Sequence, residues 1–528
     1  MAKTTGAPRV RYSLTRLQEL YTKGDQAPLE KVMRAWKGIK ERDPNDPKSF
    51  FVLGGYHGEP FHGAGWGNNT YWGGYCNHGN VLFPTWHRVY LLKVEDALRS
   101  IPGCEDVTLL YWDQTSEESL KNGIPWALTV EKFTLDGQEI DNPLRSFVFP
   151  KGIVDHISAD DPNYSKPAGY ETARYPLSGL VGSAADKKAT DEHNAKYKDP
   201  RKQTAILNQN VVRWLNCDVS VKHKGDTKRY FFQAIANQYE TCLLAPNYTV
   251  FSNTTSAAEW NNGVTSGPDL VVPLESPHNR VHLAVGGCEV PGYDASPIQG
   301  ANGDMGENDT AGLDPIFFFH HCNVDRVFWL WQKHNGFTDH LEIIPEYPGT
   351  NSVDAQGPTP GVPPNSWLTM ESPLTPFKNE RTGKIYTSND CVHIERQLGV
   401  TYAPGSLEEQ PRKTLLQGGN SHKVVRVSRV NRAPVRGSFS ISAFAVVGDD
   451  RYHLGTEPVL SRWNVKYCAN CQTHLEVKAN FSLHGFAAAL IDGAKVQYEV
   501  EIHTRDGQAD ALKANSRGVK MPAKIEVR

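Results

Sequence analysis

Residues 314–326 read DPIFFFHHCNVDR, and the architecture expected of the chain follows from this stretch. Asp314-Pro315 is a helix cap followed by a first-turn proline, so a helix is predicted over 316–334. Phe317, His321 and Asp325 recur every fourth position and share one face of it. Just upstream, PHNRVH (277–282) opens another helix after Pro277, with His278 and His282 four residues apart. These two histidines, with His320 or His321, make one group of three. His57 in YHGEP, His78 in YCNHG and His87 in PTWHR make a second. A lone histidine or a single H-x-x-x-H is more often core or surface than ligand. Two ordered groups without an obvious carboxylate are a different matter, because a donor set of imidazole alone suits copper. Two such groups facing each other predict a pair of coppers that binds dioxygen.

The other segments fit a helical scaffold. Helices are expected over 28–42, from Asp46-Pro47 through Ser49–Leu53 toward His57, over 86–99 and 204–215, and ending near Leu243. Loops rich in Gly, Pro and Asn separate them. Ligands on facing helices are the pattern of a metal-holding bundle, and long loops form the mouth of such a site. After residue 402 the pattern changes to alternating runs such as HKVVRVSRV, GSFSISAFAVV and KVQYEVEIH. The expectation is a mainly α catalytic domain over 1–402, a linker over 403–420, and an antiparallel β-sandwich over 421–528.

Length and composition agree. A chain of 528 residues exceeds one ordinary core, and its 39% hydrophobic and 22% charged residues are those of a globular protein. A net charge of −3 with no long basic run argues against nucleic acid or an anionic membrane as main partner. The N-terminus lacks a signal-like apolar run and no stretch reaches membrane-spanning length, so a cytoplasmic location is expected. Nine scattered cysteines are not a disulfide framework.

Cys76-x-His78, FPTWHR, HNRVH and DPIFFFHHCNVDR together resemble the type-3 copper family, and within it fungal tyrosinases in a latent form with a C-terminal lid. The resemblance is dense over 50–113 and 274–334. It implies that His57, His78 and His87 bind one copper and that His278, His282 and His321 bind the other, with His320 as a neighbour. It implies a thioether between Cys76 and the ring of His78. Glu275 and Asn279 would hold a water that takes the proton of a phenol; the plainer reading of Glu275 is a first-turn carboxylate favoured by the helix dipole. Phe83 and Phe317 would wall the substrate pocket, Leu283 would touch substrate, and Asn308 would stand above the second copper in place of a small or apolar residue. Asp325 would orient a ligand imidazole, or else pair with Arg326. Tyr402 would pair with Arg9 or Arg11.

The chemistry so implied is hydroxylation of monophenols to o-diphenols, and their oxidation by dioxygen to o-quinones, the precursors of melanin. A C-terminal domain would keep the enzyme a zymogen until a protease removes it, with Leu460 or Val459 of the turn TEPVLSRW as the plug. Cys468 and Cys471 would deliver copper. Small phenols are the expected partners, with homo-oligomers also open. The alternatives are a catechol or o-aminophenol oxidase without hydroxylation, a haemocyanin-like oxygen carrier, and a dizinc hydrolase.

Overall fold

The computed structural model describes residues 6–58, 75–154, 165–216, 219–223, 226–230, 234–264, 269–287, 301–355, 359–408, 423–432, 435, 437–461, 476–483, 496–504 and 523–527. Cys468 and Cys471 lie outside the described residues, as does most of the expected linker.

The helical part is built around strand β1 (Arg9–Arg11) and helices α1 (Ala27–Lys40), α2 (Phe50–Gly55), α3 (Phe83–Arg99), α4 (Thr254–Asn262), α5 (Glu275–Gly286) and α6 (Ile316–Asn335). Helix α6 is buried on every side from Ile316 to Gln332, so it is the central rod of the bundle. Asp314 sets its entry: one carboxylate oxygen accepts from the Ile316 N–H at 3.1 Å, and Arg174 clamps both oxygens at 2.6 and 2.8 Å. Helices α3 and α5 start earlier than their sequence patterns predict. Pro84 and Pro277 fall inside the first turns, where a missing N–H breaks no bond. Strand β1 pairs in parallel with β2 (Val400–Tyr402), tying the two ends of the helical part together.

The C-terminal part comprises β3 (Val424–Asn431), β4 (Phe439–Val447), β5 (Asp450–Val459), β6 (Glu476–Ser482), β7 (Gln497–Thr504) and β8 (Lys524–Val527). They form two antiparallel three-stranded sheets, in the orders β5-β4-β7 and β6-β3-β8. Val425, Val427, Phe439, Ile441, Leu454 and Ile502 fill a core of their own, separate from the helical core. One expectation fails here: Thr456–Val459 are not a turn but the end of β5. Pro458 hid this strand, yet β5 is an edge strand, where a residue without an N–H is tolerated. A register shift beside Gly455 carries β5 past its glycine.

The sheets rest on the helical part through polar contacts. Ser276 of α5 donates to Glu457 of β5 at 3.0 Å, and Ser438 donates to the carbonyl of Gly306 at 2.9 Å. Arg426 and Lys478 both reach Asn262 at the end of α4. The expected linker is partly fastened: Ser406 N–H donates to Asp113 at 2.8 Å, and Arg326 holds the Ser406 carbonyl at 2.6 Å and Glu408 at 2.7 Å. Among the described residues, no helix is long and apolar enough to cross a membrane.

Candidate metal centre

Six buried imidazoles converge from five places in the fold. His57 follows α2, His78 lies in the loop before α3, and His87 is in the first turns of α3. His278 and His282 come from one face of α5, and His321 from α6. Four of them have their Nδ1 tied to an oxygen: His57 to the Asn308 carbonyl at 3.0 Å, His87 to the Phe83 carbonyl at 2.8 Å, His282 to the Met305 carbonyl at 2.7 Å, and His278 to the Asn279 Oδ1 at 2.9 Å. A carbonyl only accepts, so each of these Nδ1 atoms carries the hydrogen and each Nε2 is a bare lone pair.

Two of those lone pairs, on His278 and His282, face the Nε2 of His321. The Nε2 of His321 is 3.1 Å from that of His278 and 3.3 Å from that of His282. Nitrogens about 2.0 Å from a shared metal ion stand about this far apart, so the set fits a metal in the middle. In the other group the ring centroids of His57, His78 and His87 are 5.1 to 5.5 Å apart. The groups abut: His87 stacks on His321 at 4.5 Å, and His78 lies 5.3 Å from His278. His320 shares the 4.8 Å neighbourhood of His278, His282 and His321, but Gln114 Nε2 donates to its Nδ1 at 2.7 Å. Gln114 is aimed by Tyr239, whose hydroxyl donates to its Oε1 at 2.8 Å.

Burial disfavours the charged form of four of these histidines. It pushes His87 down to about 3 and His282 down to about 4, and drives His278 and His321 well below the ordinary imidazole range. Neutral imidazoles without carboxylates are the donor set copper takes.

A cavity of about 150 Å³ opens on the centre. His78, Thr254, Glu275 and Asn279 line it from the helical part, and Glu457, Val459 and Leu460 line it from β5 and its end. Glu275 is buried. Its Oε1 accepts from Gly79 N–H at 3.0 Å, and its Oε2 accepts from the Thr254 N–H and hydroxyl at 2.8 and 3.0 Å. Burial pushes its carboxyl up against those hydrogen bonds and nearby Arg432.

The common central domain of tyrosinase matches residues 47–334. A curated tyrosinase of Hahella sp. (strain CCB-MM4) is 51% identical over 96% of this chain and 93% of its own length. The chain belongs to the tyrosinase family. A tyrosinase of Aspergillus oryzae is 44% identical, with 90% of each chain covered. The solved structure of a tyrosinase from Burkholderia thailandensis at low pH superposes with a TM-score of 0.86 at 50% identity, over 99% of this chain and 100% of that one. The reaction is therefore a tyrosinase's, the oxidation of phenols by dioxygen with two coppers as cofactor. The oxygen-carrier and dizinc-hydrolase alternatives fall away.

The structure places the other residues expected at the tyrosinase site as follows. Phe317 and Phe83 do not line the cavity. Phe317 stacks on His321 at 4.0 Å and meets His57 at 4.6 Å, while Phe83 sits 4.7 Å from His87 and 4.9 Å from His278. Leu283 is fully buried, one turn and about 6 Å further along the helix than Asn279, beyond the cavity. Asn308 lies against the first histidine group: besides holding His57, it donates from Nδ2 to the sulfur of Cys76 at 3.3 Å. Cys76 is a buried free thiol within 4.8 Å of the donor atoms of His57 and His78. Asp325 orients no ligand and does not pair with Arg326; it accepts from Arg88 Nε at 2.6 Å and the Tyr402 hydroxyl at 2.5 Å. Arg11, rather than Arg9, meets Tyr402, donating to its hydroxyl at 2.9 Å.

Thr254, Gly79, Gln114 and the Met305 carbonyl escaped the sequence reading. Thr254, Gln114 and Met305 belong to no histidine motif, and Gly79, though it ends YCNHG, acts through its backbone N–H; backbone donors and acceptors leave no mark on residue type.

Proposed function

We propose that this tyrosinase is latent, with residues 1–402 as catalytic domain and 421–528 as its cover. In this reading His57, His78 and His87 hold one copper and His278, His282 and His321 the other. The bare Nε2 lone pairs around His321 support the second set, and the mutual ring distances support the first. Copper, when bound there, supplies the Lewis acidity and the electrons that dioxygen activation needs.

The remaining work falls to side chains. A phenol has a pKa near ~10, so its proton must be taken before the ring is hydroxylated. Glu275 takes it through a water that Asn279 helps to hold. Asn279 Oδ1 is occupied by His278, which leaves its amide hydrogens to point at that water. Cys76 lies close enough to His78 for the thioether, which would fix a ring carried on a loop.

The observation that carries latency is the shared cavity. Glu275 and Asn279 meet Val459 and Leu460 across about 150 Å³, below the ~300–1,000 Å³ of open ligand sites. Val459 also belongs to the sandwich core and Leu460 does not, so Leu460 is the plug. An activating protease would cut after Glu408, since residues 403–408 are fastened to the helical part. The test is oxygen uptake with a monophenol and its catechol, before and after limited proteolysis, with copper measured throughout. Activity on both is expected to rise at least tenfold at constant copper content; unchanged activity after clean cleavage between 409 and 422 would overturn latency.

A further inference from the structure

We propose that Thr254 is a positioning residue for monophenol hydroxylation, holding the Glu275 carboxylate in the one orientation that presents a free lone pair to the phenol site. The inference rests on the reading of Glu275 as proton acceptor. A glutamate carboxylate turns easily about its last torsion, which is broad and two-fold. Glu275 is held against that rotation at both oxygens. Gly79 N–H fixes Oε1 at 3.0 Å, and Thr254 alone supplies two donors to Oε2, its N–H at 2.8 Å and its hydroxyl at 3.0 Å.

A carboxylate offers about four acceptor positions, and three are filled, so one remains. It lies on Oε1, the oxygen with a single donor. The cavity that Glu275 lines also has Thr254 and Asn279 in its wall, so the remaining position has an outlet toward substrate. Thr254 is also the first residue of α4, with Asn253 as its cap, and a helix N-terminus favours the ionised carboxylate. Thr254→Val keeps the backbone N–H and removes the hydroxyl, whereas Thr254→Ser keeps both. Catechol oxidation can proceed from a more acidic hydroxyl and makes less demand on this base.

The experiment uses the copper-loaded full chain, intact and after limited proteolysis, with Thr254→Val, Thr254→Ser and Glu275→Gln side by side. General bases contribute about 10²–10⁴ in rate, and losing one pin is expected to cost about tenfold of that in monophenol kcat. Catechol kcat should fall less than threefold, copper content and melting temperature should match the parent chain, and Thr254→Ser should restore the monophenol rate. Equal loss on both substrates, or none, in Thr254→Val while Glu275→Gln remains selective for monophenol would overturn the role of Thr254 alone. If Glu275→Gln shows no selectivity, the reading of Glu275 fails and this inference falls with it.

Discussion

A hydrogen on Nδ1 is what makes four of the six histidines of the site useful, His57, His87, His278 and His282. Carbonyls of Phe83, Met305 and Asn308 and the amide oxygen of Asn279 hold that hydrogen, so the opposite nitrogen faces the centre as a lone pair. The histidines themselves were readable from their motifs. Their orienting partners were not, because three of the four are backbone atoms that any residue could supply. Burial depresses His87 to about 3 and His282 to about 4, below the ordinary value of ~6.5, so the folded copper-free protein binds fewer protons than the unfolded chain between these limits. Stability from these groups is complete above the unfolded pKa and is lost as pH falls through that window. At pH 5 the loss is about 2 kcal/mol per imidazole. The copper-free protein should therefore melt several degrees lower at pH 5 than at pH 7.5; a melting temperature that is flat or higher at pH 5 would contradict the neutral, buried assignment.

Helix α5 and strand β5 meet at the cavity beside the metal centre. The four-residue spacing of His278 and His282 announced α5, as alternation announced β3, β4 and β7. Strand β5 was misread because Gly455 and Pro458 look like turn residues outside the context of a bulged edge strand. Its Glu457 is pushed up to about 7 by burial, against the Ser276 hydrogen bond and the charge of Arg280 and with the repulsion of Glu275. A carboxyl raised on docking holds its proton where the undocked one has lost it. Docking is thus favoured at low pH and weakens as pH rises from the ordinary carboxyl range toward 7. The activity of the intact chain, as a fraction of the clipped chain's, should rise between pH 5 and pH 7.5, and Glu457→Gln should flatten that rise. The same slope in the variant would show that Glu457 does not govern the contact.

At the scale of the whole molecule, the two parts keep separate cores and share a polar seam beside the metal centre. The change from helical to alternating pattern after 402 made that division readable in the sequence. Which strand faces the centre was not, since both faces of a sandwich alternate alike. All of this depends on six imidazoles holding two coppers, and metal analysis of the copper-loaded full chain tests it most directly. The account predicts two coppers per chain, falling to about one in His87→Ala and to about one in His278→Ala. Fewer than two in the parent chain, or two retained in both variants, would contradict it.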